Sequence, residues 1–113
     1  MDKAKQLRLE KKGWKVGTVA EFLNLTPEEE TLIEIKLALS RSLKRRRQQH
    51  MTLADLAERV HSSEPKLAKA EEGDASISME LLVKAILATG GTPQDIGRAI
   101  AKAQRRLLTT VSN

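Results

Sequence analysis

The chain has no cysteine and no tyrosine, and its 113 residues include one tryptophan, one phenylalanine, two histidines and three prolines. Without cysteine there are neither disulfides nor thiolate metal sites. His50 and His61 are the only imidazoles, and their spacing suggests no ligand set, so neither a metal nor a cofactor is expected. With so few aromatics a core must be built from leucine, isoleucine, valine and alanine. That favours helices, since strands are enriched in aromatic and β-branched side chains. The apolar runs are far shorter than a bilayer span, and the opening Met1-Asp2-Lys3-Ala4-Lys5 lacks the apolar centre of a signal segment. A cytoplasmic protein without membrane contact is expected. The sequence shows no glycine-rich phosphate loop and no serine or cysteine nucleophile with a partnered histidine, so an enzyme is not expected.

What is present is charge and helical periodicity. A formal net charge of +5 and a pI near 9.7 fit an anionic partner, nucleic acid first, or simply a soluble surface. The length suits a single domain with an arm. Residues 1–25 read as that arm, charge-rich to Lys12. A short helix follows from the capping spacing Thr18-x-x-Glu21 with Val19, Phe22 and Leu23, and Asn24 ends it. Trp14 and Phe22 either pin this segment to the body or form a partner-binding patch.

A long helix is expected from Thr26-Pro27-Glu28-Glu29, with threonine as cap, proline at the first position and acids in the first turn. It runs to about Arg47 with Leu32, Ile35, Leu39 and Leu43 on one face. Thr52 with Asp55 caps a short helix carrying Leu53, Leu56, Ala57 and Val60. A second restarts at Ser63, turns Leu67 and Ala70 inward and stops at Gly73, suited to a left-handed cap. Pro65 biases Glu64 away from helical dihedrals and can move that start to Glu64 or Pro65. Ser78 caps a fourth helix of the body, with Met79, Leu82, Val83, Ile86 and Leu87 inward, ending at Gly90-Gly91. Thr92-Pro93 starts a fifth, with Ile96, Ile100, Ala103 and Leu107 on one face. The domain is expected over 26–108 and a flexible tail over 109–113.

The pattern Thr52-x-x-x-Leu56-Ala57, Val60-x-Ser62-Ser63, Leu67-Ala68-Lys69 and Glu71-x-Gly73 resembles the helix-turn-helix of the Xre family of phage-repressor-like regulators. The resemblance implies an all-α, five-helix phage-repressor-like fold with a short N-terminal arm, and a homodimer on double-stranded DNA with a palindromic operator. Ala57 would sit where the two helices cross, and a larger side chain there would overpack. Three positions depart from the family pattern: Leu53 replaces a glutamine, His61 stands where the turn often has glycine, and Glu64 stands where a glutamine commonly reads a base. Histidine accepts positive φ better than most residues. The block Gly13-Trp14-Lys15-Val16-Gly17-Thr18, with Leu25-Thr26-Pro27 after it, is similar to regulators that include antitoxins of the HigA type. That branch implies a further partner, a toxin of the RelE-like fold.

In such a motif the second helix enters the major groove with its N-terminal residues at the base edges. On this chain the candidates are Ser63, Glu64, Lys66 and Lys69. Both lysines can donate to guanine or phosphate, and Glu64 either accepts from cytosine or serves the helix dipole. Thr52, Ser62, Arg41, Arg45, Arg46 and Arg47 are the candidates for the DNA backbone. The run around the arginines is read as a phosphate clamp, against the plainer reading of a solvated basic helix end.

Overall fold

The computed structural model describes residues 24–111, with side chains to Arg105; the expected short helix, Trp14 and Phe22, and the Leu107 side chain lie outside what is described. Five helices and no strand are found among these residues, and each helix begins behind a hydroxyl. α1 (Pro27–His50) starts on Thr26, whose Oγ1 accepts the Glu29 N–H at 3.1 Å while Glu29 accepts the Thr26 N–H at 3.0 Å. α2 (Leu53–Arg59) repeats this reciprocal cap with Thr52 and Asp55, at 3.1 and 3.2 Å. α3 (Glu64–Glu71) and α4 (Met79–Ala88) are capped by Ser63 and Ser78. α5 (Pro93–Val111) has Thr92 and Asp95 in the same reciprocal arrangement.

Two boundaries differ from expectation. α1 continues three residues past Arg47, because nothing interrupts it before Met51, which turns extended while its N–H closes on the Arg47 carbonyl at 2.9 Å. Only Met51 and Thr52 then separate α1 from α2. At the other end α5 runs to Val111, past Leu107, the last residue expected on its apolar face.

The ends of α3 and α4 are built alike. Gly73 at φ 79° and Gly90 at φ 95° take the left-handed conformation. The following N–H groups, of Asp74 and Gly91, reach back to the carbonyls of Lys69 and Ile86. A Cβ on Gly73 would also stand 2.7 Å from Leu37 Cδ2. The Leu37 side chain can shift, so the backbone conformation dominates. Gly73→Ala is expected to lower stability by about 1–2 kcal/mol, read from urea unfolding; an unchanged midpoint would contradict the assignment.

α1 packs along α5 and α4 and touches α3, while α2 pairs with α3. The enclosed core is aliphatic, as the composition requires: Leu39 and Leu43 of α1, Leu56, Ala57 and Val60, Leu67 and Ala70, Ile77, then Leu82, Ala85, Ile86 and Ala99. Three side chains expected inside are instead well exposed, Leu32, Leu87 and Ile100. On α5 the buried residues are Ala99 and Ala103 rather than Ile100, since small side chains let two helices approach closely. On α1 the burial begins only at Glu34, one turn beyond Thr31.

The capping carboxylates set the pH response. Glu29, Asp55 and Asp95 are each held below the usual carboxylate range, first by the N–H of their capping threonine and then by its hydroxyl. A folded-state pKa below the unfolded one gives stability that is present above the unfolded value and lost as pH falls through the folded one. Stability is therefore expected to hold from neutral pH down to about 4 and to fall below it. Melting temperatures across pH 3–7 check this; a protein growing more stable on acidification would contradict it.

Candidate nucleic-acid interface

The corner between α2 and α3 is tight because its hydrogen bonds close locally. Val60 is buried, His61 takes φ 54°, and the Ser62 N–H returns to the Ala57 carbonyl at 2.9 Å. His61 thus fills the left-handed position that glycine often holds. Ala57 is buried at the same junction, where the absence of a longer side chain lets the two backbones close up.

α3 buries Leu67, Ala70 and Glu71. At roughly 100° per residue, the opposite direction falls on Pro65, Lys69 and Glu72, with Ala68 beside them, and Pro65, Lys69 and Glu72 are exposed. Ser63, Glu64 and Lys66 are exposed too. Ser63, Glu64, Lys66 and Lys69 are therefore all accessible but do not share one face: Lys69 points outward, Lys66 and Glu64 lie on opposite flanks, and Ser63 caps the start. Helix formation from Glu64 onward settles the effect of Pro65 on the start. The Ser63 Oγ accepts the Lys66 N–H at 3.3 Å, and its own hydroxyl proton stays available to donate. Beside Lys69 lies Asp74, held below its ordinary range first by the Ser76 hydroxyl and N–H, then by the Lys69 and Lys36 ammonium groups.

The backbone-contact candidates divide. Thr52 is exposed at the start of α2, with its N–H accepted by Asp55, so it offers a phosphate its hydroxyl and not its amide. Ser62 is half-buried. Arg41 and Arg45 are exposed, and Arg41 lies 3.6 Å from the buried Glu34.

Arg46 and Arg47 have acidic partners within the protein. Arg47 donates through Nε and Nη2 to both Glu71 oxygens at 2.7 and 2.9 Å, with side-chain exposures of 19% and 6%. The Glu71 carboxylate, first through its hydrogen bonds, pushes the Arg47 guanidinium up, so it stays charged. Arg46 reaches Asp95 at 2.9 Å, tying α1 to the start of α5. A helix turns residues three and four apart to one side, so Arg46 and Arg47 follow Leu43 inward, Arg46 to Asp95 of α5 and Arg47 to Glu71 of α3. Lys44 and Arg45 remain exposed.

The Arg47–Glu71 pair is the feature that the sequence did not suggest. Its only trace there is an acid at an inward position of α3, one residue after Ala70, which demands a cation from elsewhere. Among the described residues no cluster of His, Asp or Glu could hold a metal ion, and no helix is long and apolar enough to cross a membrane.

Residues 43–96 match the family model HTH_3, helix-turn-helix. The matched span runs from the last turns of α1 into the first turn of α5 and includes all of α2, α3 and α4. The chain matches no curated protein and no solved structure.

Proposed function

Starting from a helix-turn-helix domain over residues 43–96, we propose that the protein is a sequence-specific DNA-binding transcriptional regulator. It docks α3 in the major groove, binds a palindromic operator as a homodimer and represses its own promoter in the cytoplasm. The observation that carries this reading is the two-sidedness of α3. Its inner face is locked by Leu67, Ala70 and the Arg47–Glu71 pair, while Ser63, Glu64, Pro65, Lys66 and Lys69 are all left open. A helix fixed in angle with its N-terminal half bare is what groove insertion requires.

The electrostatics refine it. The matched span holds eight Lys and Arg against eight Asp and Glu, so the chain's positive excess lies outside it. Lys44, Arg45 and Lys66 are its exposed cations suited to phosphates. Three such contacts per protomer give a dimer a log–log salt slope of about −5. Titrations of a bound duplex at increasing salt measure it, and a slope near zero would count against the groove complex.

Leu32, Leu87 and Ile100 are the large apolar side chains left exposed among the described residues, and they lie on α1, α4 and α5 rather than on α3. A second copy joined there, α5 first, leaves both reading helices open. The antitoxin reading calls on the same side chains for a toxin of the RelE-like fold, tested by whether the product of a neighbouring reading frame co-purifies. The deciding experiment for DNA is selection from random duplexes with the full chain. Enrichment of an inverted repeat with half-sites about one helical turn apart supports the reading; no enrichment overturns it.

A further inference from the structure

We propose that Pro65 is a specificity-determining residue, packing its ring against the methyl group of one thymine in each half-site; this rests on the DNA-binding reading above. Pro65 is exposed in the first turn of α3 and lies closest to the direction opposite the buried Leu67, Ala70 and Glu71. Proline has no N–H to offer, and in a first helical turn nothing is lost by that, since those N–H groups have no partner within the helix. What it brings to a groove is a rigid apolar surface with almost no rotamer freedom to surrender. Major-groove edges present donors, acceptors and a single apolar group, the thymine C5 methyl.

The neighbours support the assignment. The half-buried Ala68, three residues on, adds a second methyl beside the ring. Lys69, four residues on, is the only outward cation on that line, because Lys66 points to the flank. Pro65 and Lys69 are about 6 Å apart along the axis, less than two base-pair steps of about 3.4 Å. The expected half-site therefore has a thymine within two steps of a guanine, the first read by contact and the second by the ammonium. Glu64 and Lys66 lie about 100° to either side of Pro65, which leaves the proline ring at the centre of the outward face.

A merely structural proline would affect all sequences alike, and the test separates the two roles. Using the duplex selected by the full chain, each thymine is replaced singly by uracil, which removes only the methyl. Wild-type binding is expected to weaken about fourfold at one position per half-site, the worth of one buried methyl. In Pro65→Ser the thymine and uracil duplexes are expected to bind equally, with helicity by circular dichroism confirming the fold. Wild-type affinity unchanged at every uracil position overturns the inference, as does a uracil penalty that persists in Pro65→Ser. Should Pro65→Ser fail to fold, Pro65→Glu, an acid suited to a first helical turn, takes its place in the same comparison. A chain that enriches no duplex overturns this inference together with the DNA-binding reading, whereas enrichment without a uracil effect overturns this inference only.

Discussion

Glu71→Ala is expected to destabilise the protein by about 3 kcal/mol, more than any surface substitution on α3. The carboxylate is 6% exposed and accepts two short hydrogen bonds from one guanidinium. Removing it leaves Arg47 charged in a poorly hydrated place with nothing to neutralise it, and stranding a charge is what makes breaking such a pair expensive. The value sits at the lower end of the range for buried pairs because Arg47 retains a 19% exposed route to water. Replacing both partners, Arg47→Met with Glu71→Leu, is expected to fall within about 1 kcal/mol of the wild type, since neither a stranded charge nor a cavity remains. Urea unfolding of the single and double variants measures both. A single-variant loss under 1 kcal/mol would mean that the pair behaves as a surface ion pair and does not hold α3 in place.

The second large effect is on recognition. Lys69→Ala is expected to lower affinity for the selected duplex about 10- to 100-fold while leaving random DNA nearly unaffected, as for loss of one base-reading contact worth about 1–3 kcal/mol. Arg45→Ala is expected to weaken selected and random duplexes equally and to make the salt slope shallower by about 1 per protomer. Arg46→Ala is the contrasting case. Its guanidinium lies against Asp95, with 25% and 17% of the two side chains exposed. The loss is therefore expected in stability, at about 1 kcal/mol or less, and not in the salt slope. Fluorescence anisotropy with both duplexes at several salt concentrations separates the three. Equal losses on both duplexes for Lys69→Ala would remove it from the reading set.

What could be read from the sequence was what depends on neighbours along the chain. The caps at Thr26, Thr52, Ser63, Ser78 and Thr92 follow from hydroxyls placed before periodic apolar residues, and a cap is complete within four residues. The left-handed turns at His61 and Gly73 were legible for the same reason. The aliphatic core followed from composition. Features that depend on distant packing were not legible. Four consecutive basic residues look like one patch in a string, yet α1 turns Arg46 and Arg47 toward acids on α5 and α3 and leaves Lys44 and Arg45 in solvent. The exposure of Leu32, Leu87 and Ile100 has the same origin: periodicity identifies an apolar stripe, but how far a neighbouring helix covers it depends on approach distance, here set on α5 by Ala99 and Ala103.

The central claim, that the outward side of α3 contacts duplex DNA, is tested most directly by mapping backbone amide shifts on adding the selected duplex to labelled protein. The largest changes are expected at Ser63, Lys66, Lys69 and Glu72, with Arg45 in the last turns of α1, while the outward side of α5 stays unchanged. Changes confined to α4 and α5, with α3 unmoved in a bound and folded protein, would contradict it.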